Sequence, residues 1–223
     1  MIVLKKLKKS FGEKVLFNDF NVTIEDGAMV VIRGKSGCGK STLLHMIGGI
    51  EKPDSGEILL DGTDISKINR KKYYGCRVGF IFQNFALIET DTVENNLDLI
   101  PRANRNGVTM EEALFRVGMS DYLKKKVFQL SGGEQQRIAI ARILMKKCDV
   151  VLADEPTGNL DEANEEIVVE LFRKLHEDGT TLIVVTHDPE VAEVAQRTLV
   201  LRNGKLDHET VNKNFTGHIK YNS

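Results

Sequence analysis

The sequence predicts an α/β fold built on a parallel sheet, with a small antiparallel sheet early in the chain and a helical insertion in its middle. Three observations carry this expectation. Short β-branched and apolar runs alternate with helical patterns at both ends of the chain, the arrangement that produces parallel strands joined by crossover helices. Asp26-Gly27, Asp61-Gly62 and Asn203-Gly204 are turn signals between short strands, and they suggest a flanking antiparallel sheet. Between residues 93 and 147 the pattern becomes helical.

In chain order, strands are expected over 1–7, 15–24, 29–33 and 57–60, and again over 78–82, 149–153, 181–186 and 198–202. An apolar helix over 42–47 follows the third strand. The clearest helices of the central block are 111–117 and 134–146. A further helix fits 162–176 and ends near Gly179, where glycine can take the left-handed terminal conformation. These elements make a single domain of 223 residues. Core and antiparallel strands fill about 1–87 and 147–206, the helical subdomain about 88–146, and a polar, unpatterned tail 207–223. Neither an internal repeat nor a low-complexity linker interrupts it.

The net charge of −1 argues against a broad electrostatic surface for nucleic acid, so no nucleic-acid partner is expected. Lys5, Lys6, Lys8 and Lys9 form the densest basic run. It reads first as a solvated edge strand protected from aggregation, and only second as a phosphate or lipid site. No apolar run approaches the ~20 residues that span a bilayer, and residues 1–7 lack the apolar stretch of a signal peptide. The expected location is the cytoplasm, unless a partner holds the chain at a membrane. Cys38, Cys76 and Cys148 have no metal-type spacing and suit a reducing compartment.

Two motifs carry phosphate chemistry. Gly34-Lys35-Ser36-Gly37-Cys38-Gly39-Lys40-Ser41, followed by Thr42, is a glycine-rich loop between a strand and a helix. Its glycines let backbone N–H groups close around phosphate oxygens at the positive end of the helix. Lys40 would reach the β- and γ-phosphates and the Ser41 hydroxyl would bind Mg²⁺. The apolar strand 149–153 ends in Asp154-Glu155, which places Asp154 in the Mg²⁺ shell and Glu155 as general base on a water. Together they define a P-loop NTPase with a RecA-like core, and would equally allow a kinase, a GTPase or a helicase.

Leu130-Ser131-Gly132-Gly133-Glu134 narrows the choice. Ser131 and Glu134 read as a capping box. The two glycines cost up to ~1 kcal/mol each of helix propensity, which capping does not explain. Bare N–H groups at a helix terminus suit an anion, so capping and phosphate binding are compatible.

At this point the chain resembles the ABC transporter nucleotide-binding subunit over nearly its full length. The resemblance implies ATP and Mg²⁺ as ligands. It implies that Ser131, Gly132 and Gly133, with Glu134 beside them, form the signature that contacts ATP held by a second ATPase subunit. Gln83 matches the glutamine that senses metal and γ-phosphate, and His187 the switch histidine that orients γ-phosphate and water. Asp161, in Asn159-Leu160-Asp161, matches the loop that crosses the dimer interface, and also reads as a helix cap. Phe11 matches the aromatic that stacks on adenine. The family more often has tyrosine there, and ordinary packing is the other reading.

The segments Phe80-Ile81-Phe82-Gln83-Asn84-Phe85, Thr92-Val93-Glu94-Asn95-Asn96 and 152–161 resemble the branch of macrolide-export, lipoprotein-release, cell-division and antimicrobial-peptide ATPases (MacB/LolD-like). That resemblance implies a homodimer that closes on two ATP molecules and drives an integral-membrane permease from the inner face of the membrane. The transported molecule would be a peptide, lipoprotein or antimicrobial. An ATP-gated regulatory ATPase of a cell-envelope or division complex is the alternative. Ribosome-acting relatives carry two motif sets and chromosome-acting ones a long coiled coil, and neither feature fits this chain.

Overall fold

The computed structural model describes residues 1–158 and 160–212. Two sheets share the chain. The first is antiparallel, in the order β2-β1-β4-β5, from β1 (Ile2–Phe11), β2 (Lys14–Ile24), β4 (Ser55–Leu60) and the two-residue β5 (Thr63–Asp64). The second has the order β10-β9-β3-β8-β7-β6. Its strands are β3 (Met29–Gly34), β6 (Val78–Ile81), β7 (Val150–Asp154), β8 (Thr181–Val185), β9 (Arg197–Arg202) and β10 (Lys205–Val211). All pair in parallel except β10, which runs antiparallel to β9.

Side chains alternate along these buried strands, so the parallel sheet feeds two cores. Val30, Ile32, Leu152, Ile183 and Val185 pack with the antiparallel sheet and with α1 (Lys40–Ile47). Their neighbours Met29, Val31, Val151, Ala153, Leu182 and Val184 pack on the other face. There they meet α6 (Glu162–Glu177) and the helices between β6 and β7, namely α3 (Val93–Asp98), α4 (Met110–Arg116) and α5 (Gly132–Leu144). The inserted helices therefore close over the same core as α6. Two short helices were not foreseen, α2 (Arg70–Cys76) and α7 (Pro189–Glu193), each under two turns long and capped by one side chain, Asn69 and Asp188.

Three expectations need correction. The lysine-rich strand β1 lies between β2 and β4 rather than at an edge. Lys9 on it is only 7% exposed, with Nζ 2.6 Å from Glu51 and 3.5 Å from Asp54, so pairing rather than solvation places it there. The turn Asn203-Gly204 does not belong to the small sheet. Both residues take positive φ, 50° and 71°, and the turn folds β10 back on β9 at the margin of the large one. The stretch from Asp207 to Val211 is therefore strand rather than unpatterned tail. It was illegible because an exposed edge strand needs no apolar alternation. The remainder of the tail, 213–223, and Asn159 lie outside the described residues.

Candidate active site

The ends of β3, β7 and β8 converge on the start of α1. Gly34 closes β3 with φ 154°, and a Cβ there would sit 2.5 Å from the Leu201 carbonyl and 2.7 Å from Cys38 Sγ. Gly39 caps α1 with φ 104°, where a Cβ would lie 2.7 Å from the Phe17 ring. Both positions require glycine, and the loop of residues 34–39 that results is a cradle with Lys35, Ser36 and Gly37 exposed. Lys14 from β2 reaches over it and donates to the Gly37 carbonyl at 3.3 Å. Thr42 lies half-buried in the first turn of α1.

Lys40 is 7% exposed, and its Nζ donates to the Gly34 carbonyl at 3.0 Å and lies 3.3 Å from His187 Nε2. Among the described residues no carboxylate stands within 4.0 Å of that Nζ, although removing an ammonium from water without a counter-charge is unfavourable. The cradle and the unneutralised cation together fit an anion such as a phosphate chain. Beside them the Ser41 hydroxyl donates to Asp154 Oδ1 at 3.0 Å. Hydroxyl and carboxylate oxygens are the hard donors that suit Mg²⁺, and the pair fits that ion.

Glu155 follows Asp154 in a left-handed conformation, φ 44°, which costs an ordinary side chain ~1–2 kcal/mol. Its surroundings hold it there. The Glu155 N–H donates to the Val185 carbonyl at 2.8 Å, and its carboxylate accepts the His187 backbone N–H at 3.2 Å. Glu155 Oε1 also lies 3.3 Å from His187 Nε2, and Arg33 holds the His187 carbonyl at 3.1 Å. Gln83 is exposed in the loop after β6. A Cβ on Gly158 would lie 3.8 Å from Glu155 Cβ and 3.9 Å from Gln83 Nε2, so the amide borders the acidic loop. The structure thus brings Lys40, Ser41, Gln83, Asp154, Glu155 and His187 together.

Phe11 and the signature stand apart from that cluster. The Phe11 ring is 50% exposed, with Lys9 Nζ 4.9 Å from its centroid, so it is not a packing residue. Ser131 is the N-cap of α5 and forms a full capping box with Glu134: Glu134 N–H to Ser131 Oγ, 3.3 Å, and Ser131 N–H to Glu134 Oε2, 2.8 Å. Burial draws the Glu134 carboxyl up, and hydrogen bonds from Tyr122 and Ser131 more than offset it, leaving Glu134 below the usual carboxylate range. Gly132 opens α5. Gly133 is buried, and a Cβ there would come within 2.3 Å of the Asn164 side chain on α6. That close approach is an intramolecular reason for glycine that the sequence argument missed. Asp161 is the N-cap of α6 and accepts from the Asn164 N–H at 2.9 Å.

One cluster gave no signal in the sequence. Thr157, buried after β7, donates to Asp188 Oδ2 at 3.0 Å, and Asp188 also caps α7. Together with the Glu155–His187 pair, this ties the loop after β7 to the loop after β8. Glu165 on α6 faces Asp188, with Glu190 and Glu162 also near. Its hydrogen bond to Asp188, then burial, pushes its pKa from the ordinary 4.5 up to about 7. Asp188 stays below its usual range, since hydrogen bonds from Glu165, Glu190 and Thr157 outweigh its own burial. The folded chain therefore holds a proton on Glu165 that the unfolded chain has released, and this contribution to stability disappears as pH rises from 4.5 through about 7. The expected result is that melting temperature falls more steeply between pH 5 and 8 in the native chain than in Glu165→Gln; parallel curves would contradict it.

A family model for the ABC transporter matches residues 17–158. The chain belongs to this family. The ABC chain is 39% identical over 218 residues to an uncharacterised ABC transporter ATP-binding protein, YvrO, of Bacillus subtilis, covering 92% of this chain and 95% of that one. It is 42% identical over 204 residues to the macrolide export ATP-binding/permease protein MacB of a Shewanella species, covering 86% of this chain and 31% of the relative. It thus spans about a third of the length of MacB relatives. Among solved structures, the ATP-binding cassette MJ0796 in a dimeric, post-hydrolysis state bound to ADP and Pi superposes with a TM-score of 0.83 at 35% identity, over 96% of this ABC chain and all of that one. The two-sheet α/β architecture is that of an ABC ATPase, and the chain is an ATP-binding, ATP-hydrolysing cassette of the MacB type. No helix among its described residues is long and apolar enough to cross a membrane.

Proposed function

We propose that two copies of this chain close around two ATP molecules and that closure drives an integral-membrane permease. One observation carries the reading. Lys40, Ser41, Gln83, Asp154, Glu155 and His187 lie together at the ends of β3, β6, β7 and β8, whereas the hydroxyl of exposed Ser131 meets only the Glu134 N–H among the described residues, leaving that helix start for another molecule. Half of a phosphate site and an unused helix N-terminus on one chain complement the same two parts on a second copy.

In this reading the loop of residues 34–39 and Lys40 hold the β- and γ-phosphates, with Thr42 in the helix turn beneath and Phe11 stacked on adenine. Ser41 and Asp154, with Gln83, hold Mg²⁺, which neutralises phosphate oxygens when bound. Glu155 takes the proton of the attacking water, and its left-handed backbone aims the carboxylate into the cleft. His187, held by Glu155 and Arg33, orients water and γ-phosphate. Ser131, Gly132 and Gly133 approach the partner's nucleotide, and Asp161 lies beside the interface. The likeness to macrolide export ATP-binding/permease proteins supports export, and we place the dimer at the inner face of the membrane with a peptide, lipoprotein or antimicrobial as cargo.

Mixing subunits tests the shared site. A Lys40→Ala subunit and a Ser131→Arg subunit are each expected to be inactive, yet their heterodimer keeps one site whole. An equal mixture should recover up to about a quarter of native turnover for random pairing. A mixture as inactive as its parts, with heterodimers demonstrably present, defeats the shared site.

A further inference from the structure

The loop that carries Gln83 contains a strained pair and a clamp. After β6 the chain turns, with Phe85 N–H donating to the Phe82 carbonyl at 2.9 Å and Gln83 at the first corner. Phe85 and Ala86 then take successive left-handed conformations, φ 61° and 48°. Neither is glycine, and each conformation costs an L residue ~1–2 kcal/mol. Both carbonyls point to a single side chain. Arg142 on α5 donates through Nη1 to the Ala86 carbonyl at 2.8 Å and through Nη2 to the Phe85 carbonyl at 3.2 Å. Further along, fully buried Asn96 on α3 accepts from the Ile88 N–H at 2.7 Å and donates to the Ile88 carbonyl at 3.1 Å. The segment has no regular structure of its own; beside its turn bonds, such as Ala86 N–H to the Asn84 carbonyl at 2.7 Å, and the packing of Leu87, these two side chains tie it to α5 and α3.

We propose that Arg142 is a positioning residue for Gln83, transmitting the placement of the signature helix to the glutamine loop. The inference rests on the reading of Gln83 as a hydrolysis residue. Arg142 lies on the helix that begins at Gly132, about three turns from the capped end that would face the second subunit. Among the described residues no carboxylate stands within 4.0 Å of its guanidinium, so backbone carbonyls are what its fork holds. Burial draws its pKa below the ordinary arginine value, yet a guanidinium stays charged in a protein, so the two carbonyls are the partners of its charge. A planar fork grips two consecutive carbonyls at once, which a lysine ammonium does less well. Any displacement of α5 therefore moves Phe85 and Ala86, and with them Gln83 two residues away.

A double-mutant cycle in the full chain separates positioning from mere stability. Steady-state ATP turnover and ATP binding would be measured for Gln83→Ala, Arg142→Met, the double variant, and Arg142→Lys, the last in case the methionine variant fails to fold. Arg142→Met is expected to lower kcat by about ten- to a hundredfold with ATP affinity unchanged. In the Gln83→Ala background it should add almost nothing, because the residue it positions is gone. Arg142→Lys should recover part of the loss. If the Arg142 effect is equally large in both backgrounds, or if ATP affinity falls in step with kcat, the residue is structural only and the proposal is wrong. An impaired Gln83→Ala beside an unaffected Arg142→Met likewise defeats the proposal alone. Normal turnover in Gln83→Ala overturns the reading of Gln83 itself, and the proposal with it.

Discussion

Replacing Glu155 with glutamine is expected to reduce ATP turnover by about 10²–10⁴-fold while ATP binding persists, so that an ATP-bound dimer accumulates. The substitution is close to isosteric. The glutamine carbonyl can still accept the His187 N–H, now 3.2 Å from Glu155 Oε2, and the Val185 tether at 2.8 Å involves only backbone. What disappears is the negative charge and the capacity to take a proton from water. In the proposed site the groups that hold nucleotide and Mg²⁺ lie elsewhere, on Phe11, residues 34–42, Gln83, Asp154, His187 and the partner subunit's Ser131, Gly132 and Gly133. Binding and closure should therefore outlast hydrolysis, and closed dimers should be trapped. Size-exclusion chromatography with and without ATP, beside phosphate release, measures both halves. A Glu155→Gln chain that hydrolyses normally and stays monomeric would refute the base assignment and the dimer alike.

Lys40→Met should separate stability from function in opposite directions. Lys40 is nearly buried, and among the described residues its ammonium meets only the Gly34 carbonyl and the His187 ring. Without nucleotide that charge is poorly compensated, and methionine fills similar volume without a desolvation cost. The variant is expected to melt higher than the native chain in the absence of nucleotide, by about 0.5–2 kcal/mol of added stability. It should also lose the stabilisation that ATP confers, about 2.7 kcal/mol at a hundred times Kd. Thermal melts of both chains with and without Mg-ATP decide it. A nucleotide-free variant that melts lower would show that Lys40 is satisfied as it stands, and an intact ATP shift would remove it from the phosphate site.

How much of this was legible beforehand differs by residue. The phosphate loop was readable because its chemistry is local: glycine spacing, lysine and hydroxyl occupy consecutive positions, and the flanking strand and helix announce themselves by periodicity. Asp154 was readable for the same reason, as the acid ending an apolar strand. The capping roles of Ser131 and Asp161 follow from residues three positions apart, and the structure shows those hydrogen bonds. Lys9 was misread because its partners Glu51 and Asp54 lie more than forty residues away. Strand β10 escaped because its side chains face solvent, and α7 because five residues carry too little pattern, although Asp188-Pro189 is a cap followed by proline at the first helical position.

By itself, the sequence determined which phosphate-handling groups the chain possesses and in what order, since those depend on short-range backbone geometry and residue chemistry. Tertiary structure alone decided which of them meet. Lys40 and His187 come within 3.3 Å because β3 and β8 are neighbours in the sheet, and Glu155 can hold His187 because β7 lies beside β8. The left-handed backbone of Glu155, Phe85 and Ala86 is likewise a tertiary result. None of these residues favours that conformation locally, and partners distant in sequence, Val185 and Arg142, are what hold it.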